Sequence, residues 1–596
     1  MEKDLRASQD IETYENLYLH PICPIVHALH SSFLSSHCPS CFSPLRSCSS
    51  HCTSICASVA PEFPSSVLYL ETDLRAAISL YLSLPPRTAN SPRICSLLTN
   101  FLLLTCDAES ENAERIRRGG WEMLRAVGLQ DSDDLMEQHL LAACCLCLVK
   151  TNAVEVVDDQ KRCIGIAVYG PEFSWINHSC SPNACYRFLI SSPQSLKSSS
   201  LFPYVHPRTV SGFANDEQGG GSDDGFPELG IELRWCGPKI MVRSIKSIKK
   251  GEEITISYVD LLQPKEARKE ELLSKYCFSC CCPRCSASPI EYIDRMLEVF
   301  LIARAGSDKS ISVEEIYGKQ VPRELSDYVD DAISLFVSDD NADECCEKLE
   351  RLFIHGFRSQ GESQHCSFLL HPFNHLALHI YTTLASAYKI RGTSFPTSCL
   401  QENEDFIFRK SSAAYSILLA IVSHHFLNLD FSIIESATTF LLSAGESLLS
   451  LTKSFVIGNS QETDVYQIGY KCSTCSLEPL ENMLTRNCHK ISVEILDCIT
   501  QRLSECWSFL ANGSKCMMLL GNSIDFLKLG RKGICKDQND FRLDIDSEVS
   551  RQQPNYGDAD VKHTFQLAIH FLYFGQFLSK LCNGACQEQI TALSEK

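Results

Sequence analysis

Basic residues are in the minority in this 596-residue chain. Lys and Arg number 54 against 73 Asp and Glu, which gives a formal net charge of −19. A general nucleic-acid binder needs a basic face to neutralise phosphates, so we expect no direct nucleic-acid binding. An acidic protein instead attracts basic partners, such as lysine-rich protein tails.

Long apolar runs and an export signal are also missing. The longest uninterrupted apolar run is Leu140–Val149, whereas a bilayer span takes about 20 residues. The first residues, Met1-Glu2-Lys3-Asp4, do not form a basic segment followed by an apolar one, so we expect no secretory leader. The sequence therefore predicts a protein without membrane association, located in the nucleus, the cytoplasm or both.

Cysteine, in contrast, is abundant, with 33 in the chain. In a reducing compartment, cysteines serve as small buried hydrophobic residues or as metal ligands more often than as disulfides. The odd number also means that they cannot all be paired with one another. Cysteines at metal-binding spacing are therefore the informative ones.

The chain changes character along its length. Residues 35–66 are rich in Cys, Ser and Pro, whereas 67–150 carry apolar residues at helical spacing. Short alternating segments typical of strands occur over 162–190 and 229–260. Between them, 191–228 is rich in Ser, Pro and Gly and has little to bury, which predicts a flexible surface loop. The strand candidates are Ile164–Tyr169, Ile231–Trp235, Lys239–Arg243 and Glu253–Ser257.

The last part of the chain, from about residue 290, has apolar residues at helical spacing throughout. Paired amphipathic helices over this length predict an α-solenoid or a bundle, although no clean repeat period is present. The predicted fold class is therefore α+β and multidomain. It has a β-rich core with a helical insert and small zinc modules, followed by an all-α, TPR-like C-terminal half.

Three segments carry most of the chemical information. They are Trp175–Asn183, which reads Trp-Ile-Asn-His-Ser-Cys-Ser-Pro-Asn, then Gly251–Asp260 and Tyr276–Cys285. The last segment contains cysteines at positions 280, 282 and 285, and three thiolates on a tight turn need a fourth ligand to complete a tetrahedral zinc site. Cys180 is a candidate for that ligand. The alternative is ordinary buried cysteines, but crowding of this density rarely arises from packing.

In this order, the three segments resemble the SET domain of protein lysine methyltransferases. The resemblance is to the SET-and-MYND (SMYD-type) branch and its plant relatives. Asn177–Asn183 matches the family signature, and Gly251–Asp260 followed by Tyr276–Phe278 matches the catalytic strand and the post-SET tail. The resemblance implies an S-adenosylmethionine (AdoMet)-dependent protein-lysine N-methyltransferase that acts on a histone or another protein and serves as a chromatin regulator.

The resemblance also implies roles for individual residues. Cofactor binding falls to Asn177, His178 and Phe278, the last by stacking on the adenine. Arg6 joins them because Leu5-Arg6-Ala7 matches the end of the G-x-G-L-R-A strand of SMYD-type chains. Tyr258 matches the tyrosine whose hydroxyl lies beside the sulfonium and the incoming amine, and Tyr276 matches a second wall of the lysine channel.

Metal ligation is implied at two places. The post-SET zinc ligands correspond to Cys180, Cys280, Cys282 and Cys285. A second group resembles the start of a MYND zinc module, in which a complete first site is offered by Cys38, Cys41, Cys52 and Cys56. Cys48 and His51 are at best remnants of the second MYND site, so we expect a degenerate module with one zinc. The alternative for this region is unliganded loop cysteines.

A second function class stays open. Glu2-Lys3-Asp4 stand where the family has the glycine segment that lets the backbone approach AdoMet. A non-catalytic adaptor, binding proteins through zinc modules and TPR-like helices, would also fit such a chain. In either case we expect other proteins to bind the helical C-terminal half.

The predicted domain layout follows from these patterns and the resemblance. It consists of an N-terminal part of the SET domain (1–37), the MYND-like module (38–56), a helical insert (57–150), the SET core (151–262), the post-SET zinc tail (263–289) and the helical C-terminal domain (290–596). Within the last, Cys472-x2-Cys475 with Cys488-His489 is interpreted as a loop and helix start in preference to a metal knuckle.

Overall fold

The computed structural model describes most of the chain, in two compact units. The described residues are 4–45, 50–59, 63–84, 97–107, 109–129, 134–158, 162–190, 210–211, 237–304, 320–338, 341–358, 366–392, 399–458, 472, 474–475, 491–523 and 558–583. Unit 1 comprises Met1–Asp260 and Glu266–Cys285, and unit 2 comprises Leu261–Lys265 and Ser286–Lys596.

Unit 1 combines short strands with a helical insert. Its strands are β1 (Arg6–Ala7), β2 (Pro24–Leu29), β3 (Ala153–Val157), β4 (Cys163–Tyr169), β5 (Asn177–His178), β6 (Ala184–Leu189), β7 (Val210–Ser211), β8 (Lys239–Ser244) and β9 (Thr255–Ile256). Its helices are α1 (Ser54–Val59), α2 (Thr72–Leu82), α3 (Phe101–Thr105), α4 (Glu111–Ala126), α5 (Leu135–Asn152), α6 (Pro171–Ser174), α7 (Lys265–Tyr276) and α8 (Pro283–Ser286).

Unit 2 is built mainly from helices. They are α9 (Tyr292–Glu298), α10 (Gln320–Val337), α11 (Ala342–His355), α12 (His375–Arg391), α13 (Cys399–Leu427), α14 (Ile434–Gly458), α15 (Val493–Ala511), α16 (Lys515–Ser523) and α17 (Asp558–Asn583). Helix α12 packs on α13, α13 on α14, and α14 on α17, while α15 also packs on α17. The α+β class is thus confirmed, whereas the TPR-like character of the helices stays a prediction.

Small antiparallel sheets organise unit 1. Strand β4 lies between β2 and β3, with Ala167 opposite both His27 and Val154. Strands β6 and β8 pair over their full lengths, from Ala184 opposite Ser244 to Leu189 opposite Lys239. The alternation of the sequence places one face of these strands in a common core, because successive strand residues point to opposite faces.

The N-terminal segment of the chain runs beside β8 and the residues that follow it. The amide of Ile22 donates to Ile240 O at 2.8 Å, and the amide of Leu17 donates to Val242 O at 2.9 Å. The amide of Ile11 continues the ladder to Ile248 O at 2.8 Å. The N-terminal segment is therefore carried to the region around residues 251–254.

Two structural predictions from the sequence are wrong in part. The predicted loop 191–228 contains β7, whose residues Val210 and Ser211 pair with Ala7 and Arg6. The predicted all-α region contains an antiparallel pair, β10 (Phe300–Arg304) with β11 (Cys366–Leu370). Strands β10 and β11 escape a periodicity argument because short apolar runs do not distinguish strand from helix, and β7 is only two residues long. The predicted strand Ile231–Trp235 lies outside the described residues.

Among the residues that the structure describes, one helical segment has the composition of a membrane span. Glu404–Leu427, within α13, is long and apolar enough to cross a membrane by length and composition alone. However, 72% of its most apolar window is buried inside the protein. This is the environment of a core helix.

A close backbone approach joins the cysteine-rich module to the core. A Cβ at Gly165, on β4, would lie 2.4 Å from Ala28 O and 2.8 Å from the ring of Phe42. Phe42 is fully buried and directly follows Cys41. Phe42 thus anchors the module by packing against β4 at Gly165, a position where only glycine fits without overlap.

We expect Gly165→Ala to destabilise unit 1 by about 1–3 kcal/mol, because the added methyl group would overlap backbone atoms that cannot move alone. Hydrogen exchange of β2 and β4 peptides, measured by mass spectrometry, reports this loss. The matched control is Gly120→Ala, where the nearest atoms belong to the His139 side chain at 3.0 Å or more. Equal protection in the two variants would contradict the packing argument.

Candidate active site and metal centres

A short parallel strand pair brings the first two informative segments together. In β5 and β9, Asn177 lies opposite Thr255 and His178 opposite Ile256. The buried amide of Asn183 locks the same pair, since its Oδ1 accepts from the Thr255 amide at 2.9 Å. Its Nδ2 donates to Glu253 O at 2.9 Å. Asn183 therefore positions the strand that leads into Tyr258, a role that its place in the signature did not reveal.

His178 is held in a single tautomer. Its Nδ1 accepts a hydrogen bond from the backbone amide of Tyr258 at 3.0 Å, so the ring hydrogen resides on Nε2. That nitrogen lies 3.3 Å from Cys180 Sγ and donates to it. Burial lowers the pKa of His178 to about 4, which leaves the imidazole neutral at physiological pH. His178 therefore connects the backbone of the tyrosine segment to a thiol cluster.

Four aromatic rings gather around this point. The ring centroids of Tyr258 and Tyr276 are 4.8 Å apart, those of His178 and Tyr258 are 5.4 Å apart, and those of His178 and Phe278 are 6.1 Å apart. The Tyr258 hydroxyl donates to Ile176 O. Burial raises the pKa of both tyrosines above the ordinary value, so both hydroxyls remain protonated at neutral pH. The site thus presents aromatic faces and uncharged hydroxyls.

The end of helix α7 sets the position of Tyr276. Tyr276 is its last residue, and Cys277 turns the chain with a φ of 61°. A left-handed residue after the last turn is a common helix ending, although a non-glycine residue is strained there. The Cys277 amide donates to Leu273 O at 3.1 Å, and Asn100 Nδ2 donates to Tyr276 O at 3.3 Å. The reversal leads the chain directly from the tyrosine to the cysteine-rich turn.

Arg6 lies at the edge of this region and not among the aromatic rings. Its guanidinium forms an ion pair with Asp4 at 2.6 Å and donates to Gly251 O at 3.1 Å. The backbone of Arg6 also pairs with the backbone of Glu253 in an antiparallel β-bridge. The carboxylate of Glu253 accepts a hydrogen bond from Asn177 Nδ2 at 2.8 Å. The chain start and the signature asparagine therefore share one edge. The cofactor-binding role of Arg6 stays a prediction.

Four thiols converge beside His178. The Sγ atoms of Cys180, Cys280, Cys282 and Cys285 all lie within 4.8 Å of one another. Cys285 Sγ is 3.5 Å from Cys180 Sγ, and the Cys180 amide donates to Cys282 Sγ at 3.4 Å. Sulfurs bound tetrahedrally to zinc at about 2.3 Å are roughly 3.8 Å apart. The structure thus brings together all four cysteines that the sequence analysis grouped, and their spacing fits one zinc ion.

Two buried arginines adjoin this cluster, and sequence reasoning missed both. Arg268 Nε donates to Cys180 Sγ at 3.3 Å, and Arg284 Nη1 donates to Cys180 O at 3.3 Å. Both side chains are at most 1% exposed. A buried guanidinium is costly unless negative charge compensates it, and four thiolates around one Zn²⁺ carry a net charge of −2. No sequence signal marks Arg268, because it lies on a mostly polar helix.

The second cysteine group also converges. The Sγ atoms of Cys38, Cys41, Cys52 and Cys56 lie within 4.8 Å of one another. Cys52 Sγ is 3.3 Å from Cys41 Sγ and 3.6 Å from Cys56 Sγ. His51 instead contacts Ser50 Oγ through Nδ1 at 3.1 Å, and Cys48 lies outside the described residues. The geometry fits one metal ion in this module.

Comparison with known proteins decides the family. No protein-family model matches the chain. "Protein SET DOMAIN GROUP 41" of Arabidopsis thaliana is 34% identical over 98% of both chains. The chain belongs to the SET-domain family, in its SET-and-MYND branch.

Shorter matches support this branch. The mouse "Histone-lysine N-methyltransferase SMYD3" is 26% identical over 164 residues, which are 28% of this chain and 26% of that protein. The "SET domain and MYND-type zinc finger protein 6" of Schizosaccharomyces pombe is 49% identical over 54 residues, 9% of this chain and 11% of that protein. Kinship with lysine methyltransferases is thereby shown.

The site residues fit both the zinc ions and the AdoMet cofactor that the family implies. All-thiol clusters with closed tetrahedral spacing suit structural zinc. Aromatic faces attract organic cations, and here the Lys275 ammonium already lies 5.3 Å from the centroid of the Tyr276 ring. Such faces, with the Ile176 carbonyl and the Asn177 amide close by, suit the sulfonium and polar groups of AdoMet.

We expect Cys180→Ser to lower the zinc content of the purified protein by about one ion per chain, because a serine hydroxyl is a poor zinc ligand. Cys41→Ser should remove a second ion independently. Elemental analysis by mass spectrometry measures both. Cys185→Ser is the control. Cys185 is buried and lies close to Cys180 in the sequence, but it belongs to neither cluster. Unchanged zinc content in the Cys180 variant would refute the post-SET site.

Proposed function

We propose that this protein is an AdoMet-dependent protein-lysine N-methyltransferase. The observation that carries the proposal is the contact of Tyr258 with both Tyr276 and His178, beside the segment that contains Asn177. Named methyltransferases among the relatives support the reaction class. The acidic charge of the chain, −19, favours a basic substrate such as a histone tail or another lysine-rich segment.

When bound, AdoMet supplies an activated methyl group on a sulfonium, which an amine takes by in-line displacement. Asn177, His178 and Phe278 would hold the cofactor, with Arg6 at the edge of the site. Their task is alignment and exclusion of water, since positioning alone contributes several kcal/mol to such transfers. The neutral His178 adds no positive charge that would repel the cationic cofactor.

The tyrosines prepare the substrate amine. A lysine must arrive uncharged, whereas its free pKa is about 10.4. Burial between the rings of Tyr258 and Tyr276 disfavours the ammonium through loss of solvation. Because the Tyr258 hydroxyl hydrogen is committed to Ile176 O, its oxygen lone pairs are left to accept from the amine N–H. The nitrogen lone pair is then free to point toward the methyl group.

Neither tyrosine serves as the base in this scheme. Burial raises the pKa of both hydroxyls, which makes a phenolate rarer at neutral pH than in solution. The amine therefore loses its proton to water before transfer.

We further propose that the helices of unit 2 bind protein partners or substrate, and that the protein works in the nucleus, the cytoplasm or both.

We expect Tyr258→Phe to lower kcat by about 100-fold or more, because the amine loses the acceptor that orients it. The measurement is transfer of labelled methyl groups from AdoMet to proteins in a lysate or to histones. AdoMet affinity and zinc content should stay at wild-type values. Tyr186→Phe is the control, since Tyr186 is a tyrosine of the same core that packs against Phe173. A fully active Tyr258 variant would remove this mechanism.

The second candidate function is a non-catalytic adaptor. The observation that favours it is Asp4, which occupies the place of a family glycine and pairs with Arg6 at 2.6 Å. A carboxylate there adds bulk at the edge where cofactor is expected.

Calorimetric titration of the full chain with AdoMet separates the two functions. The methyltransferase predicts saturable binding in the micromolar range, weakened in an Asn177→Ala variant because a cofactor contact is lost. The adaptor predicts no heat and no thermal shift at millimolar AdoMet. In that case the zinc content would be unaffected, so loss of the methyltransferase proposal is distinguishable from loss of the fold.

A further inference from the structure

A third group of metal-ligating side chains lies in unit 2, where neither the family resemblance nor the proposed function assigns a site. Its members are Cys472, Cys475, Cys498 and His570, whose ligand atoms all lie within 4.8 Å of one another. They come from three separate parts of the chain: a short segment, helix α15 and helix α17. We propose that these four side chains form a structural zinc site with three thiolates and one imidazole.

The distances match those of the two cysteine clusters in unit 1. Cys472 Sγ is 3.6 Å from Cys498 Sγ, and Cys475 Sγ is 3.2 Å from His570 Nε2. Ligands around a tetrahedral zinc, with Zn–S about 2.3 Å and Zn–N about 2.0–2.1 Å, are roughly 3.5–3.8 Å apart. The same short spacing recurs among Cys41, Cys52 and Cys56 in the MYND-like module. If the ligand atoms of each cluster moved slightly apart, each of the three clusters could hold one zinc ion at ordinary bond lengths.

The orientation of His570 is that of a metal ligand. Its ring is fully buried, and its Nδ1 lies 2.6 Å from Gln566 O, one turn earlier on α17. A carbonyl oxygen can only accept, so the ring hydrogen resides on Nδ1 and the Nε2 lone pair points toward the thiols. A backbone carbonyl that fixes the second ring nitrogen is the usual support of a zinc-bound histidine.

The groups around the thiols point the same way. The Thr474 amide donates to Cys472 Sγ at 3.4 Å, as backbone amides do around thiolates in C-x2-C turns. Arg502 lies one turn after Cys498 and donates to Thr474 Oγ1 at 3.2 Å. Its Nε is buried without an oxygen or nitrogen acceptor among the described residues. The same guanidinium forms an ion pair with Glu505 at 3.3 Å, and its place beside the cluster parallels that of Arg268 at Cys180.

The ligand set selects the metal and the role. Three thiolates and one imidazole favour zinc over magnesium, calcium or manganese, which prefer oxygen ligands. All four tetrahedral positions are filled by protein, which is typical of a structural and not a catalytic zinc. Cys488 and His489, which the sequence analysis considered together with Cys472 and Cys475, lie outside the described residues. Cys498 and His570 provide the remaining ligands instead.

Such an ion would link Cys472 and Cys475 to two helices. Helices α15 and α17 pack on each other, and the ligands Cys498 and His570 are separated by 72 positions in the sequence. A metal that closes so long a loop reduces the entropy of the unfolded chain. We therefore infer that zinc stabilises the C-terminal part of unit 2, independently of any methyl transfer.

Zinc content of the full-length protein tests the proposal. Cys498→Ser should carry about one zinc ion per chain fewer than the wild type, measured by elemental mass spectrometry. The matched control is Cys506→Ser, on the same helix and equally buried at 2% exposure, which should keep the wild-type zinc content. His570→Cys should also keep it, since a fourth thiolate replaces the imidazole. Equal zinc in the Cys498 variant and the wild type would overturn the site.

A measurement on the wild-type protein covers the case in which Cys498→Ser does not fold. Cys472 is partly exposed. Under reducing conditions, its thiol should therefore react with an alkylating agent unless a metal holds it. We expect Cys472 to be protected in the protein as purified and to become reactive after treatment with a strong chelator. The exposed Cys106 should react equally in both states. Rapid alkylation of Cys472 before chelation would overturn the proposal.

Discussion

The convergence of Cys180 with the turn at residues 280–285 is the constraint on which the candidate active site depends. It joins the signature segment to the tail, which are about a hundred residues apart in the sequence. His178 bonds to Cys180 on one side and to the backbone of Tyr258 on the other. A shift in the thiol cluster would therefore reach the tyrosine through a single neutral imidazole. The aromatic rings and the metal centre form one continuous contact network.

Thiol clusters recur in this protein as cross-links between distant segments. Each of the three groups brings together residues that local structure alone would leave apart, and two of them adjoin buried arginines, Arg268 and Arg502. A metal ion is suited to this task in a reducing compartment, where disulfides do not persist. It would also explain why Arg268 is tolerated next to buried sulfur, since thiolates supply the compensating charge.

Local patterns predicted much of the architecture. Alternation predicted β4 and β8, and helical spacing predicted the helices within 67–150 and most of those after residue 290. The cysteine spacing at 280–285 and at 38–56 predicted which nearby thiols converge, because C-x-C-x2-C and C-x2-C turns bring thiols close within a few residues, whereas Cys180 was implied by the family resemblance. Short strands were harder: β10, β11 and β7 arise from pairing with partners far along the chain. Their own residues show no period that distinguishes them from helix or loop.

Motif chemistry needs only neighbours in sequence, so the local motifs by themselves indicated a resemblance to the family, and that resemblance implied the aromatic residues of the site and two cysteine groups. Tertiary structure alone decided which partners complete them. Asn183 became a positioning residue because β5 lies beside β9, and Arg268 because α7 packs over Cys180. Cys498 and His570 lie on helices that meet only when unit 2 packs. Burial of apolar helix faces sets that meeting, and no spacing rule along the chain encodes it.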